Sequence, residues 1–291
     1  MKKSLLVTLA LSLVLVAAGC SKTTENTTEE VATEVEDATE AVEEDAAEAE
    51  DTAEADTAEA EAEADTENAA TAEGVMSYAD YVAAAVDTEV CVETYVQAKQ
   101  AWWEDNGVGQ ATFYTQNQDG AFFVYNLPCS QEDYDKLVPG TKIKVTGFKS
   151  EWSGEVEITD ATYEIEDTDT FVADAKDVTD LLGKDELIDY QNQFVSFKGM
   201  TVEAAGQDDA GNDVAFLYNW DGSGTDGDDL YFTVSKDGAS YSFTVESYLC
   251  DKDSDVYAAV QNLKVGDVVD MEGFLYWYEG VNPHITSVSV Q

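Results

Sequence analysis

LVPGTKIKVTGFKSEWSG, residues 137–154, returns near the C-terminus as LKVGDVVDMEGFLYWYEG, residues 263–280. Without a gap, Leu137, Gly140, Gly147, Phe148 and Gly154 meet Leu263, Gly266, Gly273, Phe274 and Gly280. A second echo precedes each copy: FYTQNQDGA, residues 113–121, matches YFTVSKDGA, residues 231–239, in its Thr, its Asp-Gly and its Ala. Two echoes in the same order, at nearly the same offset, make two copies of one small domain. Within the first copy Ile143 and Val145 share one face of a period-two strand. Glycine inside a strand normally weakens it, so Gly147 and Gly273 at the same point of both copies predict a bend or a close approach of backbones.

Upstream of the first copy of the motif, Ser77 is placed to cap a short helix carrying Tyr78, Tyr81, Val82 and Ala85. Val90, Val92, Thr94 and Val96 then alternate with polar neighbours as a first strand. Residues 111–116 and 121–127 flank Asp119-Gly120 as a hairpin, and Ser130 with Asp133 opens a short helix. Val156 and Ile158 mark a further strand, and an acidic strip at 164–169 closes the copy. The second copy repeats the plan with polar helical turns near 178–190 and long acidic loops at 206–213 and 221–229. Its hairpin turns at Asp237-Gly238, a helix covers 255–263, and the last strands are 268–276 and 284–290.

Strand, strand, strand, short helix, strand, strand is therefore the order in each copy. It predicts an all-β architecture of two tandem five-stranded barrels with short helices, since open antiparallel edges this rich in Thr, Tyr and Val would be sticky. The expected domains are 75–169 and 170–291, and the short spacer between them predicts that they touch.

Composition narrows the function classes. Sixty-two Asp and Glu stand against 14 basic residues, all of them Lys, for a formal charge of -48. Such a field favours solubility and loose association with cations, and it repels phosphate backbones. With no Arg to grip phosphate in a bidentate way, nucleic acid is not expected as a partner. From residue 20 to 74 the chain is Glu, Ala, Thr and Asp with almost nothing to bury, which predicts a disordered acidic spacer.

Residues 1–19 carry Lys2 and Lys3, an apolar run over 5–16, and Ala17-Ala18-Gly19 before Cys20. This resembles a bacterial lipoprotein signal peptide, which implies lipidation at Cys20 and a membrane anchor. Ala17 departs from the Leu that is usual there. Of the remaining cysteines, Cys91 and Cys129 lie in one copy and are the candidate disulfide, with Cys250 left over. No Cys-x-x-Cys spacing occurs, so neither a redox centre nor a thiolate metal site is indicated.

The entry helix, the Asp-Gly hairpin, the short helix and the Leu-x-x-Gly strand resemble the OB-fold modules of bacterial extracellular and lipid-anchored proteins. Leu137, Gly140, Ile143, Val145 and Gly147 carry the likeness in one copy; Leu263, Gly266, Val269, Met271 and Gly273 carry it in the other. As a whole the chain resembles a surface lipoprotein of Gram-positive bacteria. That resemblance implies a cell-surface location on the extracellular face of the cytoplasmic membrane.

An OB-type barrel usually takes its ligand across strands two and three, between the loop after strand one and the loop joining strands four and five. Trp102 and Trp103 fall in the first of those loops, Trp152 in the second, and Tyr276, Trp277 and Tyr278 in the second loop of the other copy. Neighbouring residues of a strand face opposite sides, so some of these rings must face outward. Exposed rings could stack on sugars or grip a peptide; alternatively they plug barrel ends or join the domains. A weaker candidate is a calcium loop made of Asp221, Ser223, Thr225, Asp226 and Asp228, although the acidic residue expected at its end is replaced by Phe232. No other cofactor is indicated. His284 is the lone histidine, and no nucleophile or carboxylate pair stands out, so a non-enzymatic protein is expected. The expected function is binding of an extracellular glycan, peptide or protein through loop aromatics. The alternative is a structural or assembly role in the cell envelope.

Overall fold

A computed structural model of the chain describes residues 74–291. The signal segment, Cys20 and nearly all of the acidic spacer lie outside the described residues.

The first module opens with helix α1, Tyr78–Ala83, whose cap Ser77 accepts a hydrogen bond from the Asp80 amide, as the sequence predicts. Five strands follow: β1 Glu89–Lys99, β2 Val108–Gln116, β3 Ala121–Pro128, β4 Thr141–Trp152 and β5 Glu155–Thr170. Helix α2, Gln131–Lys136, sits before β4 with Ser130 as its cap. The second module uses β6 Phe194–Glu203, β7 Leu230–Lys236, β8 Ala239–Val245, helix α3 Asp255–Gln261, β9 Val268–Phe274 and β10 His284–Val290.

Strand order repeats between the modules, while the hairpin register does not: Gln116 lies opposite Ala121, but Lys236 lies opposite Ala239. In the first module β1 pairs with β4, β4 with β5, β5 with β3 and β3 with β2; β1 meets β2 again over Tyr95–Lys99, through a bulge. In the second, β6, β7, β8, β10 and β9 form a closed ring in the equivalent order. Strands three and five run parallel in both modules, and every other pair among these ten strands is antiparallel. These are tandem all-β, OB-fold-like modules.

The two strand glycines hold equivalent places. Gly147 in β4 lies opposite Val90 of β1, and Gly273 in β9 lies opposite Val195 of β6. A Cβ on Gly147 would come within 2.7 Å of the Thr159 carbonyl oxygen, and one on Gly273 within 2.2 Å of that of His284. Pairing with strand five slips by a residue at both points, so the fourth strand bends where only glycine lets the backbones approach.

Each module has its own core. Val90, Val92, Phe113, Phe122, Leu137, Ile143, Val145 and Ile158 fill the first; Val195, Phe197, Phe232, Phe243, Tyr257, Val269 and Ile285 fill the second. The acidic strip at 164–169 has a place in the sheet. It is part of β5, where Glu164 pairs with Lys144 at 2.9 Å and Glu166 with Lys142 at 3.1 Å. The expected disulfide is also corrected, because Cys91 and Cys129 are free thiols. Cys129 belongs to the barrel core, whereas Cys91 sits between core residues Val90 and Val92 and so faces the other side of the strand.

The modules touch through the outer face of β2 and β3. Residues 111–116 of β2 are buried without interruption, where a strand with one wet face would alternate. Tyr114 stacks on Phe274 at 4.4 Å, and Phe123 meets Tyr276 edge-on at 5.5 Å. The Tyr114 hydroxyl lies 2.6 Å from His284 Nδ1, and the Gln116 side chain accepts the Phe194 amide at 2.8 Å. Thus the surface on which an OB-type module usually takes its ligand is, in the first module, covered by the second.

Candidate functional site

In the second module the same surface stays open. Along β7, Leu230, Phe232 and Val234 point into the core while Tyr231 and Thr233 face outward, beside Ser242 of β8. The long loop after β6 brings Trp220 over one side of this surface, and the loop between β9 and β10 brings Tyr278, Val281 and Asn282 over the other. A groove results, with Trp220, Tyr231 and Tyr278 as aromatic faces and Thr233, Ser242 and Asn282 as hydrogen-bonding groups. No charged side chain lines it. Trp220 is 76% exposed, the most open large apolar side chain among the described residues.

Local chemistry holds the loops in place. Phe216–Tyr218 adds a short strand to β7, and the Asn219 amide donates to the Asp229 carbonyl, which fixes the approach to Trp220. Asn282 is oriented by the Thr244 hydroxyl, which donates to its Oδ1 at 2.9 Å. On the far side Tyr278 packs on Trp152 of the first module at 5.0 Å between ring centres, and the Glu279 amide donates to the Ser153 carbonyl at 2.7 Å.

A second concavity lies behind that ring pair, between the modules. Glu157, Glu246 and His284 form its floor, and Tyr125, Trp152 and Tyr276 its walls. Burial pushes both carboxyls up to about 7. It pushes His284 down to about 3, so the imidazole is neutral, and it stacks on Tyr276 at 4.2 Å. The buried Tyr114 hydroxyl is hydrogen-bonded to His284 Nδ1, and the tautomer of the ring sets which of the two donates.

Deeper still is Glu155, with no exposed surface. One carboxylate oxygen accepts the Trp277 amide at 2.9 Å and the Gln191 amide group at 3.3 Å. Its other oxygen and Asn192 Oδ1 both lack a partner. Burial holds the Glu155 carboxyl up at about 8, against the Asn192 side chain and the Trp277 amide, which pull it down.

The sequence-predicted aromatics thus divide. Trp152, Tyr276, Trp277 and Tyr278 come together where the modules meet. Trp277 packs against the second core and over Gly154, while Trp152 is 54% exposed. Trp102 and Trp103 do not join them. The Trp102 indole donates to the Cys129 carbonyl at 3.0 Å and fills the space above Gly109; Trp103 stands exposed on a short strand beside β2. Trp220 was not among the candidates, although it sits in the loop after strand one of its module, the same place that singled out Trp102 and Trp103.

In the proposed calcium loop, Asp221 accepts the Ser223 amide and Asp228 the Thr225 amide, while Asp226 accepts from Gln261. These carboxylates serve their own loop and its neighbour α3. Among the described residues no group of three or more His, Cys, Asp or Glu is placed to hold a metal ion.

Neither a protein-family model nor a curated protein matches the chain. Solved structures do. A murine DNA binding protein bound with double-stranded DNA is similar at 11% identity and a TM-score of 0.33, over 69% of this chain and 94% of that one. The Ifi202 HINa domain in complex with double-stranded DNA is similar at 12% identity and a TM-score of 0.31, over 71% and 96%. The Replication Protein A heterotrimer bound to single-stranded DNA is similar at 12% identity and 0.29, over 70% of this chain and 49% of that one. At these values the likeness concerns the strand arrangement alone. Against the expectation from sequence, these structures are not bacterial surface lipoproteins, and the lipid-anchored reading is not taken further. The sequence leads to no expectation of nucleic acid as a partner, whereas the structures named are complexes with DNA.

Proposed function

We propose that the protein is a non-enzymatic binding protein whose second module holds a neutral glycan across the open groove of β7 and β8. One observation carries this reading: Trp220, Tyr231 and Tyr278 converge on hydroxyl and amide groups, with no charge in the lining. Sugar rings have apolar faces and hydroxyl edges, and such a groove offers a partner to each. The first module acts as the platform that holds Tyr278 in place through Trp152.

Tryptophan fluorescence of the full chain, titrated with a panel of neutral oligosaccharides, tests the reading. A saturable change abolished by Trp220→Ala is expected. Single- and double-stranded DNA belong in the same titration, because the same ring faces stack on bases and DNA is bound by the structures named above. Saturation by DNA with none by any glycan would replace the glycan reading.

A further inference from the structure

The cleft between the modules has a different chemistry from the groove, and Glu157 decides what it is. This residue lies on β5 opposite Phe123 of β3 and is only 8% exposed. Among the described residues its carboxylate makes no hydrogen bond and no ion pair, and loss of water pushes its pKa up. An unpartnered carboxylate this deep is costly unless something brings a compensating charge.

Its neighbours do not supply one. Glu246 is already held: Oε2 accepts the Gln100 side chain at 3.0 Å and Oε1 accepts the Tyr248 amide at 3.1 Å. His284 is neutral and bound to Tyr114. Glu155 lies nearby, sealed beneath Trp277, and the remaining titratable groups facing the cleft are the tyrosines Tyr125 and Tyr276. No lysine lines the cleft. Two carboxylates therefore face an enclosure of about 280 Å³ with no cation, and the open rings of Trp152 and Tyr125 flank its mouth.

We propose that this cleft binds an alkylammonium group, with Glu157 as its counter-ion, Glu246 as the second acceptor, and the rings of Trp152 and Tyr125 packed on its methylenes. A cation beside aromatic faces and a desolvated carboxylate gains from both, more than either gives in water. The charge of -48 on the chain adds long-range attraction that weakens with salt. This site shares only the Trp152–Tyr278 contact with the glycan groove and does not depend on it.

Binding must drive the Glu157 proton off. An amine keeps its charge between pH 6 and 8, whereas Glu157 ionises within that range, so each binding event releases a proton and affinity rises with pH, by up to about tenfold per unit below the carboxyl's midpoint. The test is calorimetric titration of the full chain with cadaverine, with a blocked Gly-Lys-Gly peptide, and with pentane-1,5-diol as the uncharged control. Runs at pH 6 and 8, in two buffers of different ionisation enthalpy, count the protons. Expected are binding of at least one amine, none of the diol, tighter binding at pH 8, and a loss of about tenfold or more in Glu157→Gln. Glu157→Gln should melt no lower than the parent, and Trp220→Ala should bind amines unchanged. Cadaverine alone binding points to a free amine; the peptide alone binding points to a lysine side chain. Equal binding of the diol, pH-independent affinity, an unaffected Glu157→Gln, or no amine binding overturns the proposal, and glycan binding in the groove would survive any of these results.

Discussion

Replacing Glu155 by Gln should flatten the pH dependence of stability. The folded protein holds this carboxyl protonated up to about 8, against an ordinary 4.5, chiefly because burial disfavours the charge. An unfolded chain gives up that proton near 4.5. The contribution is thus fully present below about pH 4.5 and is lost as the pH climbs through about 8. At about 1.4 kcal/mol per pH unit, the loss between pH 5 and 8 is roughly 3–4 kcal/mol, an upper figure because water can enter once the acid ionises. Glutamine matches the protonated acid in size and charge, and its carbonyl can accept the Trp277 amide. At pH 5, Glu155→Gln should lie within about 1 kcal/mol of the parent, and at pH 8 it should be more stable by about 2–4 kcal/mol. Urea unfolding of both full-length proteins at pH 5, 6.5 and 8, followed by tryptophan fluorescence, measures this directly. Glu246, pushed up to about 7, imposes a falling slope of the same sign on both proteins and cancels in the difference; Glu157 cancels only in part, because its charge also raises Glu155. Parallel profiles, with the variant offset by a constant, would refute the assignment of a buried neutral acid at the module contact.

Other perturbations probe the scaffold. Gly273→Ala should cost more than Gly147→Ala, with both in the range of about 1–4 kcal/mol in thermal or urea unfolding, because the added methyl of the former meets backbone at 2.2 Å. An equal, negligible effect would remove the close-approach explanation. Lys149→Met should destabilise by about 2–3 kcal/mol and expose α1 to proteolysis, since the Lys149 ammonium donates to the carbonyls of Tyr81, Val82 and Ala84 at 3.0, 2.9 and 2.8 Å. Protection of α1 in the variant would show that these bonds do not hold it. Tyr114→Phe strips His284 Nδ1 of its partner and should cost about 1–2 kcal/mol while raising mobility between the modules, checked by unfolding and by hydrogen exchange around Phe274.

Much of the fold is written locally. The gapless repeat around Gly147 and Gly273, the caps Ser77 and Ser130, and the Asp-Gly hairpins rest on interactions among residues near in sequence, and the strands obey the period-two rule. The length of β5 was not legible, because nothing near Glu164 and Glu166 in sequence shows that Lys144 and Lys142 stand opposite them. Nor was the site. Tyr276 and Trp277 look no different in sequence from Tyr278, yet the first two serve the module contact and the third lines the groove.

By itself the sequence determined that there are two copies of one small β module, where each bends, and which short helices precede their fourth strands. Tertiary structure alone decided which copy keeps its ligand face. Tyr114 and Phe123 alternate outward on β2 and β3 as Tyr231 does on β7, and nothing local says that the former will be covered by Phe274 and Tyr276. The same packing removed water from Glu155, Glu157 and Glu246, which among so many carboxylates were indistinguishable in sequence. Periodicity shows which face of a strand is apolar; the charge a side chain can hold depends on how much water distant segments leave around it.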